Sequence, residues 1–127
     1  MIMNNIKTLT QMYQMNVKIE TIKNVPYDGI TVLINGTYNI KINEEAKEET
    51  YTHELGHIIV DKIANNNPDV MNEIVNILMI GNEEVLADIL GNLIYMYEYE
   101  ICVRDVTYIL PDVETIDHII DLITKNI

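Results

Sequence analysis

Apolar positions change their period twice before residue 44. Met3, Ile6, Leu9 or Thr10, and Tyr13 recur at helical spacing and predict a helix over Met3 to Met15. Val17, Ile19 and Ile22 predict a short strand, and Pro26-Tyr27-Asp28-Gly29 is a turn signal. Ile30 to Ile34 is an apolar, mostly β-branched run. Asn35-Gly36 follows it, and both residues tolerate the positive φ angles of a two-residue hairpin turn. Tyr38, Ile40 and Ile42 then alternate with Asn39 and Lys41, as on a strand with one half-buried face.

From there the pattern is helical. Asn43 is expected to cap a helix that opens with Glu44-Glu45, where acidic groups suit the positive helix end, and that runs to about Ala64. Asn65-Asn66-Asn67-Pro68-Asp69 ends it. Val70 to Ile80 is a second helical stretch, closed by Gly81-Asn82, and a third runs from Glu83 to about Glu100. Ile101 to Leu110 reads equally as strand or helix. Pro111-Asp112 opens a last helix with Val113, Ile116, Ile119 or Ile120, and Ile123 on one side. A helix, then strands, then helices imply an α+β fold, mainly helical, with a short antiparallel sheet. The chain has 127 residues, enough for one core and too few for two, so residues 1–127 are read as one domain.

Composition narrows the picture. Hydrophobic residues make up 48% of the chain, with no Trp and no Phe, so Ile, Leu, Val, Met and the eight Tyr are expected to fill the core. The net charge of -12 repels phosphate and argues against direct nucleic-acid binding. It either keeps the surface soluble or meets a basic partner. Cys102 is the only cysteine, which excludes an internal disulfide, fits a reducing cytosol, and reads as a small core residue. The N-terminus carries no apolar run of signal-peptide length. No apolar stretch reaches the roughly 18 residues of a membrane span, and the longest, Val85 to Tyr97, is interrupted by Asp88 and Asn92. These features predict a cytoplasmic protein with no membrane partner.

The candidate chemistry lies in His53-Glu54-Leu55-Gly56-His57. On a helix the two histidines are about 40° apart around the axis and about 6 Å apart along it, so both imidazoles reach one ion from the same face. Glu54 is displaced from His53 by about 100°, which directs its carboxylate toward a water at the metal rather than toward the metal itself. By chance, a chain of this length contains H-E-x-x-H on the order of a few times per thousand. Here the motif takes two of only three histidines and falls inside a predicted helix. The alternative is a helix surface with two histidines and a salt-bridging Glu54.

A catalytic zinc site needs a third protein ligand and an open position. Asp61, Glu73, Glu83, Glu84, Asp88 and His118 are the candidates. Asp61, one turn past His57, is expected to point past the site. Glu84, Ala87 or Asp88, Gly91 and Tyr95 share one face at helical spacing, and small residues at Ala87 and Gly91 would let this helix approach the motif helix closely. Spacing favours Glu84 over Glu83 as the ligand, and Asp88 could orient a ligand histidine from behind. The same face also reads as an ordinary buried seam with a capping Glu.

Tyr51-Thr52-His53-Glu54-Leu55-Gly56-His57-Ile58-Ile59-Val60 resembles the motif helix of the ImmA/IrrE-type metallopeptidases. Glu84-Val85-Leu86-Ala87-Asp88 resembles their downstream E-x-x-A-[DN] segment, whose Glu is the third zinc ligand. The likeness spans roughly residues 3–100 and leaves 101–127 outside it. Gly91 stands where the family usually has Ala, and Leu90 stands where an aromatic is common. The resemblance implies a gluzincin-like, zincin-type metallopeptidase domain with Zn²⁺ held by His53, His57 and Glu84, and with Glu54 as the catalytic base. It also implies a protein substrate, a helix-turn-helix transcriptional repressor of a mobile element or phage.

His118 on the last helix reads either as an oxyanion donor or as plain surface. Tyr95 could donate to the oxyanion, although core packing suits Tyr95, Tyr97 and Tyr99 alike. The run Glu44 to Glu49 reads as a solvated helix face. Two functions follow. One is a zinc-dependent endopeptidase. The other is a non-catalytic acidic binding protein on the same fold, an anti-repressor or an inhibitor of a host defence protein, to which Glu54 would be of no use.

Overall fold

The computed structural model describes all 127 residues and contains five α-helices and one three-stranded sheet. The elements are α1 (Ile2–Met12), β1 (Val17–Ile22), β2 (Gly29–Ile34), β3 (Thr37–Asn43), α2 (Glu48–Asn66), α3 (Pro68–Leu78), α4 (Glu83–Tyr99) and α5 (Val113–Asn126), with a 3₁₀ turn at Thr107–Ile109 before α5. The fold is α+β, as the order of periodicities predicts.

The hairpin forms as its turn dictates. Asn35 (φ 50°) and Gly36 (φ 81°) both adopt positive φ, and β2 pairs antiparallel with β3 from Gly29↔Ile42 to Ile34↔Thr37. The sheet is nevertheless mixed, not antiparallel. Its order is β1-β3-β2, and β1 runs parallel to β3 from Val17↔Tyr38 to Ile22↔Asn43. The tight turn sends β3 back antiparallel to β2, into the slot beside β1. Residues 23–36 therefore act as the long crossover that a parallel pair requires. Pairing on both edges suits β3, whose Tyr38, Ile40 and Ile42 are all buried, whereas β2 has no buried residue and stays at the edge.

Helix α2 starts four residues later than Asn43 capping would place it. Asn43 ends β3 instead. Its amide donates to the Val25 and Tyr27 carbonyls and its Oδ1 accepts from Glu45 N–H, so it caps a turn; Glu44 and Glu45 are exposed but precede the helix. The acidic first turn is supplied by Glu48 and Glu49. Helices α3, α4 and α5 have side-chain caps of the ordinary kind: Asn67, Asn82 and Asp112 accept from Val70, Val85 and Thr115 N–H.

Helix α2 is the hub and packs on α1, α3, α4, α5, β2 and β3. Leu55, Ile58, Ile59 and Ile63 on α2 are fully buried with Ile6, Leu9, Ile40, Ile42, Ile74, Leu90, Leu93 and Ile94. The core is thus aliphatic, and only Tyr38 and Tyr95 of the eight tyrosines are buried in it. Tyr97 points outward. The segment after α4 is neither strand nor α-helix: Val106 and Leu110 are its buried anchors, and Cys102 is exposed rather than buried. No helix is long and apolar enough to cross a membrane.

Candidate metal centre

The close approach of α2 and α4 builds the site. A Cβ on Gly56 would lie 1.6 Å from the Ala87 carbonyl oxygen, and one on Gly91 would lie 1.9 Å from the Thr52 carbonyl oxygen. Only glycine allows this contact at either position. It sets the first two turns of α4 directly over the motif turn of α2, bringing Glu83, Glu84 and Asp88 to the two histidines.

Each imidazole is addressed on both nitrogens. His53 Nε2 lies 2.8 Å from Glu84 Oε2, and His57 Nε2 lies 3.2 Å from Glu84 Oε1. Behind the rings, His53 Nδ1 lies 3.5 Å from Asp88 Oδ1, and His57 Nδ1 lies 3.3 Å from Glu83 Oε2. One carboxylate therefore spans both Nε2 atoms, and a separate carboxylate stands at each Nδ1. The hydrogen bond with His53, first, holds the Glu84 carboxyl below the usual carboxylate range; burial opposes it, and the charges of the two rings and the contact with His57 add to the lowering.

Glu54 points the other way around the helix, toward β2. It is 5% exposed, and its Oε1 accepts from Thr31 Oγ1 at 2.7 Å. Strand β2 comes this close because Gly29 has no side chain: a Cβ there would lie 2.7 Å from Thr50 Cγ2 and 3.1 Å from Glu54 Cγ. The donor atoms of His53, Glu54 and His57 lie within 4.8 Å of one another, a grouping able to hold a metal ion. Glu84 stands closer still to the two Nε2 atoms. In a tetrahedral zinc site with bonds of roughly 2.0 Å, neighbouring donors are about 3.3 Å apart. The 2.8 and 3.2 Å separations, one to each Glu84 oxygen, are near that edge length, so two imidazoles and Glu84 are spaced as donors to one divalent metal ion would be, with Glu54 alongside.

These groups face a cleft of about 730 Å³, walled by α2, the N-terminal end of α4 and β2, where Ile30, Thr31 and Leu33 line it. Asp61 also lines the cleft, but its carboxylate meets neither histidine: Tyr38 on β3 donates its hydroxyl to it and holds it there. Glu73 and His118 are elsewhere: they face each other at 3.8 Å across α3 and α5, both half-exposed. Tyr95 is not in the cleft. It is buried, and its hydroxyl accepts from Asn5 Nδ2, tying α4 to α1. Sequence reasoning missed Thr31 and Tyr38 as groups that orient cleft carboxylates. Inward alternation along β3 hinted at Tyr38, but nothing local marked Thr31. Compared with protein-family models, curated proteins and solved structures, the chain matches none of them.

Proposed function

We propose that this chain is a zinc-dependent endopeptidase of the ImmA/IrrE type, on a zincin-like domain, acting on a helix-turn-helix transcriptional repressor. One observation carries the reading: a single carboxylate, Glu84, meets the Nε2 atoms of both motif histidines while the buried Glu54 lies beside them at the same cleft. The repressor as substrate rests on the resemblance of the two motifs alone. His53, His57 and Glu84 would hold the ion, and Asp88 and Glu83 would orient the two rings. A divalent ion held there supplies Lewis acidity, which polarises a peptide carbonyl and makes water a competent nucleophile near neutral pH.

Glu54 acts as general base and then acid. Thr31 occupies its Oε1, so Oε2 is the oxygen that takes a proton from water and returns it to the leaving amine. Strand β2 has one edge paired with β3 and the other free, and its Ile30, Val32, Leu33 and Ile34 are exposed. An extended peptide would add to that free edge and lie across the cleft. The deciding experiment is Glu54→Gln. It should retain a full equivalent of zinc and lose cleavage by roughly 10²–10⁴-fold. Wild-type turnover of a repressor by that variant would rule out the mechanism assigned to Glu54; the non-catalytic binding protein would instead keep its activity with alanine at both His53 and His57.

A further inference from the structure

Asp88 does not face His53 alone. Its Oδ1 is the atom near His53 Nδ1, and its Oδ2 is paired with Arg104 Nη1. Arg104 is the chain's only arginine, and the other cationic side chains besides histidine are lysines. None of those lysines pairs with a cleft carboxylate; the lysine pairs are Lys23–Glu44 and Lys125–Asp121.

The backbone brings Arg104 there by doubling back. From Asp88 to Tyr99, α4 rises about 16 Å, and five residues of extended chain cover about the same distance. Glu100 ends α4 in the left-handed region (φ 54°) and reverses the chain. Val103 then packs against the core, and Val106 is 3% exposed. Arg104 lies between these two apolar anchors, which hold its backbone beside the first turns of α4.

The geometry points to Arg104 as a positioning residue for the metal centre: it fixes the Asp88 carboxylate and, through it, the ring of His53. An arginine is permanently charged and presents a planar fork of donors, so a carboxylate it engages has little freedom to swing. Asp88, 14% exposed, is thereby held with its Oδ1 toward His53 Nδ1, so that when the ring serves as a ligand Nδ1 is the nitrogen that keeps a proton and Nε2 the one that gives its lone pair. The segment after α4 thus contributes to the site without lining the cleft. This inference rests on the metal-site reading only for its metal-affinity arm.

The test compares Arg104→Met and Arg104→Lys with the unaltered chain, alone and in an Asp88→Asn background. In the metal-free protein, the imidazole nitrogen chemical shifts of His53 should move in Arg104→Met, while those of His118, which is distant and paired with Glu73, stay in place. Zn²⁺ affinity, measured by chelator competition, should fall about 10-fold in Arg104→Met, the low end for loss of a group supporting a ligand. Arg104→Lys should recover most of that loss, and Arg104→Met should cost nothing further once Asp88 is Asn. Unmoved His53 shifts and unchanged affinity, with only a lower melting temperature, would reduce Arg104 to a staple for the loop. If the unaltered chain binds no Zn²⁺, the peptidase reading fails, and the His53 shifts still decide the role of Arg104. Arg104→Gln serves the same comparison if the methionine variant does not fold.

Discussion

Gly56 and Ala87 touch backbone to backbone: a methyl group on Gly56 would sit 1.6 Å from the Ala87 carbonyl oxygen. That contact sets the distance between α2 and α4, and the four carboxylate–imidazole pairings depend on it.

Gly56→Ala should therefore separate the helices. Alanine would stabilise an isolated helix by about 1 kcal/mol relative to glycine, but overpacking against a carbonyl costs about 3 kcal/mol, the upper end for inserted methylenes. The expected net destabilisation is about 2 kcal/mol, read as a lower denaturant midpoint at unchanged slope. Zinc affinity should fall with it, because Glu84 moves away from both rings. A variant as stable as the unaltered chain would show that the seam is looser than the contact implies.

Glu84 and Glu83 are distinguished by which nitrogens they meet. Glu84 spans the two Nε2 atoms, and Glu83 stands at His57 Nδ1. In purified protein, Glu84→Ala should weaken zinc binding by more than about 100-fold. Glu83→Ala should weaken it about 10-fold, as expected for the partner of a ligand imidazole. Full zinc retention by Glu84→Ala would move the third ligand elsewhere, with Glu54 next in line because its carboxylate lies within 4.8 Å of both histidine donors.

Thr31 holds Glu54 across the gap between sheet and helix. Thr31→Val preserves the β-branched shape on the edge strand and removes only the donor. A hydrogen bond to a charged group is worth about 1.5–3 kcal/mol, so kcat should fall about 10-fold through a less well oriented base while zinc content stays at one equivalent. Equal losses of zinc and turnover would mean that Thr31 supports the whole site rather than Glu54.

Much of the fold is legible in the chain because its signals are local. Asn35-Gly36 marks its own turn, the alternation of Tyr38, Ile40 and Ile42 marks the buried face of β3, and the small residues Ala87 and Gly91 mark a helix seam. The juxtaposition of Glu84 and Asp88 with His53 follows from that seam and from helical spacing alone. What failed depended on partners distant in sequence. Nothing near Val17 says that β3, rather than β2, will lie beside it, so the parallel pair was invisible. Asn43 carries a capping side chain, but the carbonyls of Val25 and Tyr27 compete for it. Cys102 and Tyr97 sit in apolar stretches, but α4 ends before Cys102 and turns Tyr97 outward.

Alkaline pH acts on a pair outside the cleft. Tyr13, at the end of α1, donates its hydroxyl to the Glu98 carboxylate on α4. Burial, first, and then the hydrogen bond and charge of Glu98 raise the Tyr13 pKa above the ordinary tyrosine value. The folded state thus holds the phenolic proton more tightly than the unfolded chain, whose tyrosines titrate near about 10. The stabilising contribution is fully present below about pH 10 and is lost as pH rises through the folded value. Tyr38, raised by burial and by Asp61, acts in the same direction. Melting temperature should accordingly be insensitive to these groups at neutral pH and fall above about pH 10. In Tyr13→Phe the slope of stability against pH between about 10 and 12 should shrink by up to one proton. The loss at pH 7 should be at most about 1 kcal/mol, one hydrogen bond. Thermal unfolding of both proteins from pH 7 to 12 measures the slope, and identical slopes would show that Tyr13 titrates alike in the folded and unfolded chains.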